Sequence, residues 1–130
     1  MGTWYLDTSA AAKLIVKERE SSALILAIQT DQPRLVSSVL LETELRRAAL
    51  RNPAVKQDDV TTFLTSLDIY EIDATVYRQA GLLPGAHLRS LDAIHLACAL
   101  LLDASAVITY DKRMLEAATE VGIEALSPGI

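Results

Sequence analysis

Apolar positions along this chain follow two rhythms that take turns. Short β-prone runs recur as "TWYL", "RLVSS", "LDIYEI", "AVITY" and "IEAL". Between them, apolar residues return every three or four positions in "SAAAKLIVK", "ESSALILAIQ", "VLLETELRRAALR", "DDVTTFLTS", "ATVYRQAGLL", the long run after "HLRS", and "KRMLEAATEV". The first rhythm is that of strands and the second that of helices. Local chemistry marks the ends. Ser9 is the expected N-cap of the first helix, Asp73 of "ATVYRQAGLL" and Ser90 of the long apolar helix. Pro53 stops "VLLETELRRAALR", since proline lacks an N–H and its ring clashes with the preceding turn. Short strands alternating with helices predict an α/β fold, a three-layer α/β/α sandwich around a mostly parallel central sheet. No repeat, low-complexity stretch or linker interrupts the pattern, so residues 1–130 read as one domain.

Composition narrows the class. A chain 51% hydrophobic and 22% charged is built to fold, not to stay disordered. No run approaches the roughly 20 apolar residues that span a bilayer, so no membrane association is expected. The start "MGTWYLDTSA" has no basic leader region, and the lone Cys98 rules out an intrachain disulfide. Both point to a cytoplasmic protein. One Cys and two separated His also leave no structural zinc set.

The acids change the picture further. Asp7 and Asp111 each sit between a hydrophobic run and a helix, and Asp92 heads the long apolar helix. Each alone reads as a helix cap, placed where the positive end of the dipole favours an anion. Together they suggest more, because the carboxyl ends of parallel strands form the ligand crevice of an open sheet. Clustered carboxylates repel one another, and a hard divalent ion offsets that cost. Magnesium or manganese held this way assists attack of water on a phosphodiester.

Helical phase separates the two acids of "VLLETELRRAALR". Glu44 has Leu40 and Ala48 four residues either side and faces inward; Glu42 has Arg46 at i+4, a surface ion-pair spacing. An inward glutamate without a partner is costly to bury, and a metal cluster gives it a reason to be there. Glu44 is therefore the site candidate and Glu42 structural. Thr8, Ser9 and Thr109 are near the cleft by sequence, as caps or as hydrogen-bond donors to metal-bound carboxylates. His95 follows Asp92 by three residues on the same helix and reads either as a packing residue or as a hydrogen-bond partner that orients a site group, outside the catalytic set in both cases.

The net charge of −5 argues against nucleic acid less than it seems to, because a four-acid site accounts for most of it. Binding of phosphates then falls to local basic groups: Arg46 and Arg47 with Arg51, and Lys112 with Arg113. Their alternative is ordinary solvated helix surface.

The segments "YLDTSA", "VSSVLLETELRRA", "LRSLDAIHLACAL" and "VITYDKRM" together resemble the four motifs of PIN domains, in order and over nearly the whole chain. The likeness is closest to the VapC-type toxins of bacterial and archaeal toxin–antitoxin pairs. Carried over position by position, the family's acidic quartet falls on Asp7, Glu44, Asp92 and Asp111, with Glu44-Leu45-Arg46-Arg47-Ala48 matching the second motif. The resemblance implies a Mg²⁺- or Mn²⁺-dependent endoribonuclease that cleaves tRNA or rRNA, with Asp7, Asp92 and Asp111 as metal ligands. Glu44 is then a ligand or the group that orients and deprotonates the attacking water. It also implies a homodimer and a cognate antitoxin whose tail covers the site.

The main alternative is a PIN-like binding module without catalysis, which the four intact acids oppose. A haloacid-dehalogenase-type phosphatase needs Asp-any-Asp after the first strand, and Ser9 occupies the second position. A receiver domain needs a later lysine in a different arrangement from Lys112.

Overall fold

The computed structural model describes residues 2–130. Five strands are interleaved with seven helices among the described residues: β1 (Thr3–Leu6), α1 (Thr8–Ile15), α2 (Ser21–Asp31), β2 (Arg34–Ser38), α3 (Val39–Arg51), α4 (Gln57–Leu64), β3 (Asp68–Tyr70), α5 (Ala74–Leu82), α6 (Ser90–Leu101), β4 (Ala106–Ile108), α7 (Lys112–Val121) and β5 (Glu124–Leu126). The strands form one sheet in the order β3-β2-β1-β4-β5. All four pairings are parallel, so the sheet is wholly and not merely mostly parallel.

Period-two alternation in β1 builds the layers. Trp4 and Leu6 pack with Ala106, Ile108 and residues of α1, α2, α3 and α4. Tyr5 points to the opposite face, with Val36, Val107 and residues of α5, α6 and α7. Two hydrophobic cores therefore sandwich the sheet, as the three-layer expectation required. Nearly continuous burial of Ala93 and His95–Ala99 makes α6 the central helix of its layer.

Helix ends follow local chemistry. Asn52 and Leu83 end α3 and α5 in extended conformation, each one residue before a proline that disfavours the helical region there. Gly122 ends α7 with φ of 82°, a left-handed conformation that glycine adopts without a Cβ clash. Three strands are shorter than their β-prone runs: "AVITY" yields only Ala106–Ile108, "LDIYEI" only Asp68–Tyr70 and "IEAL" only Glu124–Leu126. No helix among the described residues is long and apolar enough to cross a membrane.

Candidate active site

In the sheet order, β1 is central, with β2 on one side and β4 on the other. Connections leave a parallel sheet in opposite directions at such a point and open a crevice beyond the strand ends. Asp7 stands at the end of β1, its N–H donating to the Ile108 carbonyl of β4 at 3.3 Å. Asp111 lies three residues beyond β4 and begins α7.

Asp7 is buried and is itself the N-cap of α1. Its Oδ1 accepts from the Ala10 N–H at 3.0 Å and from Ser9 Oγ at 2.6 Å; its Oδ2 accepts from Thr109 Oγ1 at 2.5 Å. This corrects Ser9 as the expected cap. The shorter reach from Asp7 satisfies the helix amide, and Ser9 lies inside the first turn, where its hydroxyl also accepts from the Tyr110 N–H at 2.9 Å. Burial pushes the Asp7 carboxyl above its ordinary range, against the pull of Ser9, Thr109 and the Ala10 amide. A carboxylate offers about four acceptor positions. Three are filled, and one remains for a ligand.

Asp111 caps α7, with Oδ1 accepting from the Arg113 N–H at 2.8 Å, and its own N–H donates to Thr109 Oγ1 at 3.1 Å. Thr109 thus ties Asp7 to the Asp111 backbone. Asp92 is the acid in the first turn of α6. Ser90 is not the cap of that helix: the helix begins at Ser90, Arg89 takes the cap position, and no side chain satisfies the end. Burial raises the Asp92 carboxyl above its ordinary range, and the charges of Asp111 and Asp7, with a smaller part from Glu44, raise it further.

Glu44 enters the cleft from α3, its side chain 22% exposed. Its Oε1 accepts from Thr8 Oγ1 at 2.5 Å and lies 2.6 Å from His95 Nε2. Burial works to raise its carboxyl, but the hydrogen bonds from His95 and Thr8 win and hold it below the usual range. Glu42 lies outside, paired with Arg46 at 2.8 Å as the i+4 spacing required. The phase argument that separated the two glutamates matches the structure.

Sequence reasoning left His95 outside the catalytic set and missed Tyr5. His95 is 1% exposed and bridges Glu44 to the Tyr5 hydroxyl, which lies 2.7 Å from Nδ1. The signal was present: His95 is one turn after Asp92, and Tyr5 precedes Asp7 by two residues, the spacing of one strand face. The basic candidates divide. Arg46 is held by Glu42, by Gln57 Oε1 at 3.1 Å and by Thr61 Oγ1 at 3.0 Å. Arg47, Lys112 and Arg113 are exposed and make no ion pair among the described residues.

The donor set fits a hard cation. Every acid in the cleft offers oxygen, Asp7 keeps one acceptor position, and Glu44 Oε2 takes no hydrogen bond among the described residues. No three of the described His, Cys, Asp and Glu residues stand close enough to enclose an ion unaided. Magnesium needs no such cage, because it retains several waters and takes only one or two carboxylates.

Residues 4–120 match the model of the PIN domain family. Ribonuclease VapC46 of Mycobacterium tuberculosis is 42% identical over 130 residues, covering 98% of this chain and 99% of that protein. The chain is a VapC-type PIN domain. Ribonuclease VapC35 of the same organism is 41% identical over 131 residues, with 96% of each chain covered. Solved VapC folds superpose along the whole PIN domain. The sarcin–ricin loop cleaving toxin VapC20 of M. tuberculosis gives a TM-score of 0.73 at 15% identity, covering 96% of this chain and 99% of that one. DNA-bound VapBC of Salmonella typhimurium gives 0.74 at 18% identity, covering 97% and 98%. At these identities, the superpositions speak for the PIN fold alone.

Proposed function

We propose that this VapC-type chain is a Mg²⁺- or Mn²⁺-dependent endoribonuclease, the toxin of a toxin–antitoxin pair, acting on tRNA or rRNA. The placement of Asp7 at the end of β1 and of Asp111 beyond β4, joined through the Thr109 hydroxyl, supports this reading. Asp7, Asp92 and Asp111 would hold the cation, in part through the waters it retains. Bound there, it supplies Lewis-acid stabilisation of the phosphodiester and activates the attacking water.

Glu44 orients that water. Its depressed pKa keeps it ionised near neutral pH but makes it a weak base, so accepting and aiming a water hydrogen suits it better than strong proton abstraction. Thr8, Ser9 and Thr109 fix the carboxylates by hydrogen bonds that leave the cation-facing positions open. Exposed Arg47, Lys112 and Arg113 bind the phosphate backbone. The cognate antitoxin inserts a basic side chain into the acidic cleft, and the toxin works as a homodimer.

RNA cleavage with added Mg²⁺ or Mn²⁺ tests the proposal, using wild type, Asp7→Ala and Asp92→Ala. Cleavage by wild type alone, abolished by EDTA, is expected. Cleavage that persists in both variants or in EDTA contradicts the metal-nuclease reading, and none under any condition favours a binding module.

A further inference from the structure

We propose that the turn formed by residues 127–130 is a clasp on the segment 109–111, with Ser127 a positioning residue that acts through Thr109 on Asp7 and Asp111. Its bearing on cation binding rests on the roles given above to those two acids. The run Ser127-Pro128-Gly129-Ile130 has the chemistry of a type II turn, with proline second and glycine third. The structure closes that turn. The Ile130 N–H donates to the Ser127 carbonyl at 3.1 Å, and Gly129 has φ of 94°. A Cβ on Gly129 would stand 3.0 Å from Ala23 Cβ and 3.3 Å from Glu20 Cβ, so the turn lies against the start of α2.

Thr109 joins the turn to the acids. β4 and β5 pair in parallel as far as Ile108 and Leu126. Just beyond, the Thr109 N–H donates to the Leu126 carbonyl at 3.1 Å. In that register the next amide due at the Thr109 carbonyl is that of residue 128, and Pro128 has no N–H. Ser127 Oγ takes its place, donating to the Thr109 carbonyl at 2.5 Å. The Thr109 hydroxyl in turn donates to Asp7 Oδ2 at 2.5 Å and accepts from the Asp111 N–H at 3.1 Å. Tyr110 is anchored to the same turn. Its Oη donates to the Pro128 carbonyl at 2.8 Å, its N–H donates to Ser9 Oγ at 2.9 Å, and Lys13 Nζ lies 4.7 Å from its ring centre.

The consequence lies at the two acids. Residues 109–111 belong to neither strand nor helix, so no regular ladder fixes them. Backbone left free there has to be ordered when a cation binds, and that cost is subtracted from affinity. The clasp orders it beforehand. A turn that only closes the fold also explains Gly129 against α2. It does not explain a serine hydroxyl directed at the carbonyl that Pro128 cannot serve, on the residue that bonds to both acids.

Mn²⁺ titration followed by electron paramagnetic resonance tests the clasp in wild type, Ser127→Ala and Ser127→Thr. Amide hydrogen exchange on the same proteins without metal supplies the second readout. Loss of one ordinary hydrogen bond corresponds to about 5-fold in an equilibrium constant. Ser127→Ala should weaken Mn²⁺ binding by that factor and speed exchange of the Tyr110 and Asp111 amides. Ser127→Thr keeps the hydroxyl and should restore both. Ser66→Ala is the control, because the Ser66 hydroxyl donates to the Phe63 carbonyl at 2.6 Å just before β3, at the amino end of the sheet. It should leave Mn²⁺ affinity unchanged. Where wild type binds Mn²⁺, unchanged affinity or unchanged exchange in Ser127→Ala, folded by circular dichroism, contradicts the proposal. An equal loss of affinity in Ser127→Thr or in Ser66→Ala contradicts it too. If wild type binds no Mn²⁺, the cation reading falls, while exchange of the Tyr110 and Asp111 amides still decides the clasp.

Discussion

Thr109 Oγ1 donates to Asp7 Oδ2 at 2.5 Å, joining the ends of two adjacent strands that are 102 residues apart in sequence. Thr109 is fully buried and its hydroxyl also accepts from the Asp111 N–H. Thr109→Val keeps the shape and removes both bonds. Leaving a buried carboxylate short of a donor costs about 1–3 kcal/mol. Urea unfolding at pH 7 should show that loss, and a change below about 0.5 kcal/mol would mean the carboxylate finds another donor.

Stability and metal binding are opposed at this cleft. Burial, and for Asp92 also the neighbouring acids, raises the carboxyl pKa of Asp7 and Asp92. An acid whose folded pKa exceeds its unfolded value contributes stability fully below the unfolded value and loses it as pH rises through the folded one. Glu44 works the other way: its lowered pKa contributes above the unfolded value and is lost as pH falls through the folded one. The metal-free protein therefore loses the Asp7 and Asp92 contributions on going from acid toward neutral pH. Added Mg²⁺ should raise Tm more at pH 7.5 than at pH 5. Asp92→Asn should raise the metal-free Tm at pH 7.5 and abolish most of the Mg²⁺ shift. Scanning calorimetry checks both signs, and a lower metal-free Tm for Asp92→Asn would contradict them.

Two glutamates two residues apart should behave oppositely. Glu42→Gln removes a surface ion pair with Arg46, worth about 0.5 kcal/mol, and should leave cleavage unchanged. Glu44→Gln should lower kcat by about 10²-fold or more. Similar activities for the two variants would contradict the inward assignment of Glu44.

The basic residues should separate in the same manner. Arg46 holds α3 to α4 through Gln57 and Thr61, so Arg46→Ala should lower stability. Lys112→Ala and Arg113→Ala should leave folding intact and weaken RNA binding. Each substitution that removes a cation from a phosphate should reduce the slope of log K against log salt by about one unit. Salt-dependent filter binding measures this, and unchanged slopes would remove both residues from the RNA surface.

Much of this was legible in the sequence because it depends on local periodicity. The helix Val39–Arg51 and the strand Arg34–Ser38 match the pattern residue for residue, since a proline and a change of period mark their ends. The inward phase of Glu44 was equally local. What escaped is non-local or set by single hydrogen bonds. Ser9 and Ser90 have cap chemistry, but Asp7 reaches the α1 amide first, and α6 starts one residue earlier than its serine suggests. The partnership of Tyr5 with His95 spans 90 residues and follows from the strand order, which no local pattern encodes.

The central claim is that the four acids act as one cation site that drives RNA cleavage. Mn²⁺ binding followed by electron paramagnetic resonance, run beside RNA cleavage on the same preparations, tests it most directly. Wild type should bind Mn²⁺, and Asp7→Asn, Asp92→Asn and Asp111→Asn should each weaken binding by about 10-fold or more, with cleavage falling in step. Undiminished Mn²⁺ affinity in these variants, or cleavage that continues without bound metal, would contradict the account.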